Sequence, residues 1–410
     1  MPRFPAVAAT ALCLWPLTFA AADDWPGWRG PQRNGISREA GLLKSWPAEG
    51  PKLAWKATGL GEGFSTPSVV GRSLYTMGNR DGQEFVLAVD VNRSGKTLWA
   101  APIGPVRHAG AGYPGPRSSP TYDDGKLYCL GLNGDLLCLD AANGSMLWRV
   151  DLVAEYGGKI PTWGYSESPL VDGPWVVCTP GGDKATLTAL DKTTGRQAWG
   201  TAFGDRAGYS SIVAAEIDGE KQYVQFTATG VVGVAAADGR LRWRYDRPAN
   251  GTANCSTPVV AGNRVFAASG YGTGGGAVDV KKTASEFAAD EAYFTKEMKN
   301  HHGGLILVGG LLYGSDDPGI LTCVEYATGK SLWRERAAGK CSLVYFDGHL
   351  IARSEKGPVS LVKVSAEKAE IVGSFEQPER SEKPSWPHPV VADGRLYLRD
   401  QDVLLCYELK

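Results

Sequence analysis

Arg117–Trp148 reads RSSPTYDDGKLYCLGLNGDLLCLDAANGSMLW, and its plan recurs seven more times along the 410-residue chain. A short apolar run after Pro120 turns at Asp124-Gly125 and continues as the alternating KLYCLGL. The chain turns again at Asn133-Gly134, runs through LLCLD, and turns at Asn143-Gly144 into a last strand closing on Trp148. Asp-Gly and Asn-Gly between alternating apolar runs are strong hairpin signals, because Gly and Asn enter positive φ at little cost. The unit is therefore expected to be a four-stranded antiparallel meander.

In register, the opening Pro or its substitute stands at Pro67, Pro120, Pro169, Val213, Pro258, Leu305, Val344 and Pro389, so seven steps span 322 residues, a mean of 46. The closing Trp recurs at Trp99, Trp148, Trp199, Trp243 and Trp333, each with a Gly four residues earlier (Gly95, Gly144, Gly195, Gly239, Gly329). A period of about 40 to 50 residues that builds four strands each time is the signature of a β-propeller. The expected fold class is all-β, an eight-bladed propeller. Unit five replaces its Trp with Tyr293-Phe294 after the insertion KKTASEFAADE, and unit seven ends in EIVGSF without Trp. Unit eight stops at Lys410 one strand short, while KLAWK at Lys52–Lys56 carries a spare Trp55. Adding that N-terminal strand to the last blade closes the ring and removes two open sheet edges.

Residues 1–22 have the pattern of a secretory signal: Arg3, an apolar stretch from Val7 to Phe19, then Ala20-Ala21-Ala22. The expected organisation is a signal at 1–22, an ordered Trp-containing lead-in at 23–50, and one propeller at 51–410. Export to the periplasm or cell envelope follows, with no transmembrane segment after cleavage. With 43 basic against 44 acidic residues there is no surplus positive charge to neutralise phosphates, so nucleic acid is not an expected partner. One closed ring is expected to act as a monomer.

Seven Cys remain once Cys13 leaves with the signal. Cys138, Cys323 and Cys406 occupy the third-strand position that Ala88, Ala189 and Ala235 fill elsewhere, so they read as small core residues. If Asn133-Gly134 is a two-residue turn, Cys129 and Cys138 fall opposite each other at a non-hydrogen-bonded site, where strands approach most closely. A cross-strand disulfide is then geometrically accessible, with two reduced thiols as the other state.

Blade topology gathers the interblade links and the turns between strands two and three on one face. These links are long and chemically varied: GPVRHAGAGYPG, VAEYGGKIPTWGY, GDRAGY, RPANGTAN, MKNHHGG and RSEKPSWPHP. Long loops on one face of a rigid ring mark the binding side. His108, His301, His302 and His388 fall on them, whereas His349 sits in an Asp-Gly turn on the far face and reads as surface. Three residues before each repeat Pro, the mouth presents Phe64, Arg117, Ser166, Ser210, Cys255, His302, Cys341 and Trp386. The candidate binding residues at this mouth are Arg117, Tyr165, Glu167, Asn254, His301, His302, Trp386 and His388. Such a collar suits a small molecule or peptide. The alternative is a set of polar groups that satisfy one another and the strand ends.

No metal site is expected. His301 and His302 are adjacent, and neighbouring side chains on an extended strand point to opposite faces. Asp316-Asp317 and Asp400-Gln401-Asp402 read as solvated turn carboxylates. Gly270–Gly276 (GYGTGGG) lacks the following helix that a phosphate-cradling loop requires. No residue is assigned a catalytic role.

The recurring Ser-x-Pro, Asp-Gly-x-Leu-Tyr, Leu-x-Cys-Leu-Asp, Thr-Gly and Leu-Trp resemble the pyrroloquinoline-quinone (PQQ) repeat. Quinoprotein alcohol dehydrogenases and the outer-membrane assembly propeller BamB share that repeat. WPGWRGP, WGYSESPLVDG, AGYSS, MKNHHGG and SWPHPV are further similar to exported propellers of this group from planctomycetes. The resemblance implies PQQ with calcium as the cofactor of an enzyme reading, and envelope proteins as partners of a BamB-like scaffold. The chain has neither the adjacent Cys pair nor a haem segment that the dehydrogenases carry, and their calcium ligands and catalytic Asp map to no position here. The first expectation is therefore a non-catalytic, exported binding module without a certain cofactor. A PQQ-dependent oxidoreductase and an envelope-assembly scaffold are the alternatives.

Overall fold

A computed structural model describes residues 24–284 and 286–410; the expected signal at 1–22 lies outside the described residues. The strands form eight four-stranded antiparallel sheets, the blades of one propeller. Seven are meanders in chain order; the second, for example, comprises Thr121–Asp123, Lys126–Leu130, Asp135–Asp140 and Met146–Asp151. The eighth runs Leu53–Ala57, Val403–Glu408, Arg395–Asp400, Val390–Ala392 from outside inward. Its outer strand is thus the N-terminal one, with Trp55 opposite Cys406. The ring closes as the repeat predicts.

The recurring Trp and Gly hold neighbouring blades together. On the outer strands, Trp99, Trp148, Trp199 and Trp333 lie opposite the small residues Ala88, Cys138, Ala189 and Cys323, and a one-residue bulge follows each pair. Each indole N–H donates to a carbonyl of the next blade: Ala141 at 3.2 Å, Lys192 at 3.0 Å, Ala236 at 3.2 Å and Ser365 at 2.9 Å. Under Trp99, Trp148 and Trp199 lies the next blade's turn Gly, whereas the seventh blade, which receives Trp333, has no Gly at that turn. A Cβ at Gly144 would come within 2.6 Å of Trp99, and its φ of 76° suits glycine. Trp55 docks in the same way on Gly95 and the Val91 carbonyl, so the closing strand uses the common joint. In the fifth blade Tyr293 takes the Trp position, lying against Gly329 and donating its hydroxyl to the Tyr326 carbonyl at 2.9 Å.

Two blades depart from this plan. The insertion lengthens the fifth blade's outer hairpin to Gly274–Thr283 and Glu286–Thr295, displacing the turn that would receive Trp243. Trp243 instead lies on Gly233 of its own blade, and its N–H donates to Gln222 Oε1 at 2.7 Å. Gly233, rather than the expected Ala235, is therefore the small partner. In the seventh blade Gly373 stands where the Trp belongs, and the lead-in fills the space. The Trp46 backbone passes there, its N–H donates to the Val372 carbonyl at 3.2 Å, and its ring meets Phe375 edge-on at 5.6 Å.

Cys129 and Cys138 do not face each other. Cys129 lies opposite Leu137 and Cys138 opposite Tyr128, so the two thiols point to opposite faces of their sheet. The hairpin closes with Gly131 N–H donating to the Asp135 carbonyl at 2.9 Å, a three-residue loop rather than two. All seven Cys from 129 onward are free.

The lead-in plugs the axial channel. Trp25 exchanges two backbone hydrogen bonds with Val69 of the first blade, at 2.7 and 2.8 Å. The buried Arg29 donates to the Leu305 carbonyl, and Arg33 to the Ser168 and Pro169 carbonyls at 2.6 and 3.0 Å. Burial pulls both guanidinium pKa values down to about 10. Further along, Ile36 bridges to Tyr345, Glu39 accepts from Gly394 N–H at 2.7 Å, and Leu43 N–H donates to the Leu409 carbonyl. One segment thereby ties together blades on opposite sides of the ring. Among the described residues no helix is long and apolar enough to cross a membrane.

Candidate functional site

A Ser or Thr just before the inner strand joins several blades to their neighbours. Ser168 Oγ accepts from Ser119 N–H at 2.9 Å, Ser211 Oγ from Ser168 N–H at 3.0 Å, and Thr66 Oγ1 from His388 N–H at 2.9 Å. Above this belt lies an axial pocket of about 340 Å³, at the lower end of the range for small-molecule sites. Seven of the eight interblade links deliver side chains to it, Tyr271 and Glu355 come from turns between strands two and three, and Trp28 of the plug also lines it. Trp28 is anchored by its N–H to Thr257 Oγ1 at 2.9 Å and lies 4.6 Å from the His388 ring.

The wall is mainly aromatic. Trp386 meets Phe64 at 4.7 Å and Tyr113 at 4.8 Å, tilted by 41° and 43°. Trp163 meets Tyr209 and Tyr271 meets His301 close to edge-on, at 63° and 73°. The Trp386 indole donates to Glu355 Oε1 at 2.8 Å, which fixes both groups. Arg117 donates to the Tyr113 and Gly115 carbonyls at 2.6 and 3.1 Å and lies 5.3 Å over Phe64. Among the described residues, Glu355 is the only carboxylate on the wall and Arg117 the only guanidinium.

Three imidazoles complete the wall, all held neutral. Burial, with Lys340 beside it, lowers His301 to about 4, and Lys340 Nζ lies 2.7 Å from its Nδ1. Burial, with Arg29 nearby, lowers His388 to about 3, and burial also drives His302 well below its ordinary value. His388 Nε2 lies 2.9 Å from the His302 carbonyl, which makes Nε2 the protonated nitrogen and leaves Nδ1 an acceptor. Among the described residues, His388 Nδ1 and both ring nitrogens of His302 have no hydrogen-bond partner. His302 Nε2 is 3.9 Å from Glu355 Oε1, beyond hydrogen-bond reach. The Cys255 thiol, pushed up to about 12 by burial, is not a nucleophile at neutral pH.

Of the residues expected at the mouth, Arg117, His301, His302, Trp386 and His388 come together on this wall. Tyr165, Glu167 and Asn254 do not. Tyr165 is buried with its hydroxyl on the Pro180 carbonyl at 2.7 Å. Glu167 turns into the blades to accept from Thr179 N–H at 2.7 Å and Gln225 at 3.3 Å. Asn254 clamps the Thr227 and Ala228 carbonyls, both at 3.0 Å. All three are structural fasteners. From the collar, Ser210 and Cys341 also lie outside the lining. The adjacent His301 and His302 both reach the pocket, their rings stacked at 5.3 Å, because they sit in a loop where strand alternation does not operate.

Other expectations also need correction. His349 is buried and stacked on Phe346 at 5.8 Å rather than on the surface. Asp316 is buried with Lys299 and Arg334 at 3.2 and 2.6 Å, and Asp400 is buried beside Gln377, so these two are clasps rather than solvated carboxylates; Asp402 is exposed in its turn, where it also accepts from Gly59 and Gly61 N–H. Sequence reasoning missed Trp28, Tyr113, Trp163, Tyr209, Tyr271 and Glu355. A usable signal was present, since Tyr113, Trp163 and Tyr209 each lie in one of the long links.

Eight blades joined by docked aromatics around an axial aromatic pocket define a β-propeller of PQQ-like repeats. A family model described as outer membrane protein assembly factor BamB matches residues 82–335, and the chain belongs to that family. BamB from Moraxella catarrhalis superposes with a TM-score of 0.60 at 15% identity, over 87% of this chain and 97% of that one. The quinohemoprotein alcohol dehydrogenase of Comamonas testosteroni gives a TM-score of 0.68 at 13% identity, covering 94% and 80%. A europium-containing methanol dehydrogenase gives 0.52 at 13%, covering 92% and 89%. At these identities the likeness is one of fold. No curated protein matches the chain.

The dehydrogenase neighbours raise the question of PQQ with a metal. Calcium takes six to eight oxygen ligands, and this wall offers one carboxylate, already accepting from Trp386. No cluster of three or more His, Cys, Asp or Glu suited to a metal occurs among the described residues. A flat tricarboxylate would meet Arg117 as its one wall guanidinium, whose two terminal nitrogens each already donate one N–H to a backbone carbonyl. The donor set does not fit that pair.

Proposed function

We propose that the protein is a non-catalytic binding module, exported to the periplasm or cell envelope, which takes a small organic ligand into its axial pocket. The observation that carries the reading is the combination of a largely apolar, aromatic wall with unpartnered, buried imidazole nitrogens. A buried polar group without a partner costs about 1–3 kcal/mol, and a ligand that supplies the partner recovers that cost. The signal pattern at residues 1–22 supports export. The wall's nucleophile candidate, Cys255, is held protonated, and no residue is assigned to activate it.

The test is a melting-temperature and tryptophan-fluorescence screen of the purified protein against small neutral, anionic and cationic ring compounds. A binder should raise the melting temperature of the wild type and not of Trp386→Ala. If no compound of any class shifts the wild type, the reading fails.

A second reading, a scaffold in envelope protein assembly, is favoured by the family model matching residues 82–335. It predicts that cross-linking in envelope extracts captures outer-membrane assembly proteins through the long-loop face. Capture unaffected by charge reversal on those loops would count against it.

A further inference from the structure

We infer that the axial pocket is built for a neutral polyhydroxylated ring, a sugar or cyclic polyol, bound by C–H contacts on the tilted aromatics and by hydroxyls on His302 and His388. This inference rests on the pocket being a binding site, as proposed above, and specifies the chemistry of its ligand.

A neutral imidazole has one donor and one acceptor. His302 has found a partner for neither among the described residues, and His388 Nδ1 is a lone-pair acceptor without a donor. His388 is 3% exposed, so its ring is shielded from bulk solvent. A ligand for this wall must therefore donate and accept within a few ångströms. A hydroxyl does both with one atom and rotates to suit. A carboxylate only accepts, and a quaternary ammonium does neither.

The shape of the wall points the same way. Most of the aromatic pairs that build it meet at 41° to 86°, with His301 and His302 stacked at 27° as the exception, so it forms a bowl rather than a parallel-sided slot. A flat aromatic ligand pairs with such rings by offset stacking or edge-on contact. A puckered ring instead presents C–H groups in several directions and suits tilted faces.

Charge supplies the third argument. The wall carries one carboxylate and one guanidinium, and its three imidazoles are neutral. Neither sign is in excess, so a ligand with a net charge would lose hydration without compensation.

The experiment is calorimetric titration of the full chain with three probe sets. The first contains glucose, galactose, mannose, xylose, cellobiose, maltose and inositol; the second, benzoate and naphthoate; the third, choline and tetramethylammonium. At least one sugar or polyol should bind saturably. His302→Phe, which keeps a ring and removes both nitrogens, should weaken it about tenfold to a hundredfold. Replacing one hydroxyl of the bound sugar with hydrogen should cost the wild type more than it costs His302→Phe. Circular dichroism and the melting curve establish that the variant is folded; if it is not, the deoxy-sugar series on the wild type carries the test. Binding of the second or third set with the first set silent overturns this inference and leaves the pocket a binding site. Silence in all three sets overturns both.

Discussion

Glu167 shows how a residue expected at the mouth serves the framework instead. Burial raises its pKa from 4.5 to about 8, against hydrogen bonds from Thr179 and the nearby Arg33 guanidinium, which pull it down. Between pH 4.5 and about 8 the unfolded chain has released this proton and the folded chain has kept it, so stability falls as pH rises through that window. The histidines act in the opposite direction. His301 and His388, depressed to about 4 and about 3, stay neutral in the fold while the unfolded chain takes up protons below 6.5, so stability falls on acidification. Glu167→Gln should therefore remove the Glu167 contribution to the fall in stability between pH 4.5 and about 8 and leave the curve below pH 4.5 unchanged. Urea midpoints measured across the range check this, and an unchanged slope in that window would show that Glu167 is ionised in the folded state.

At the scale of the element, the joint between blades is a ring over a glycine. Gly125 and Gly144 have the same φ of 76°, yet a Cβ at Gly125 meets nothing within 4 Å and one at Gly144 meets Trp99 at 2.6 Å. Ala at either site carries the left-handed backbone strain of about 1 kcal/mol. Only Gly144→Ala must also move a packed indole, adding about 1–3 kcal/mol. The two denaturation midpoints should differ accordingly, and equal midpoints would mean that the Trp99 contact contributes nothing. This joint was legible in the sequence because Trp and Gly recur at a constant offset. The Cys129–Cys138 register was not, since Asn-Gly can close a two- or a three-residue loop. The choice is fixed by strand three starting at Asp135, whose carboxylate holds Arg107 and Arg149 at 2.8 and 2.6 Å. Arg117, His302 and Trp386 were legible because they share one position of the repeat. Trp28 has no repeat position, and its place on the wall arises only when the lead-in folds into the ring; Glu355 lies in a turn between strands two and three, a position at which the other blades share no residue type that marks it.

For the whole molecule, closure and plugging are separate tasks performed by adjacent parts of one segment. Leu53–Ala57 pairs with Val403–Glu408 and docks Trp55 on the first blade, so it is the clasp of the ring. Residues 24–50 fill the channel, line the pocket with Trp28, and cover the seventh and eighth blades with Trp46 and Leu42. A chain starting at residue 51 keeps the clasp and loses the plug. It should remain monomeric in size-exclusion chromatography, melt at a lower temperature because apolar surface is uncovered, and lose whatever ligand the intact pocket binds. A chain starting at residue 58 loses the clasp as well. Val403–Glu408 then presents a bare edge of unpaired N–H and C=O groups, the template on which strands of other molecules add. That chain should form oligomers or precipitate at concentrations where the longer one does not. If the two truncations elute alike, the N-terminal strand is not what keeps the propeller a closed single ring.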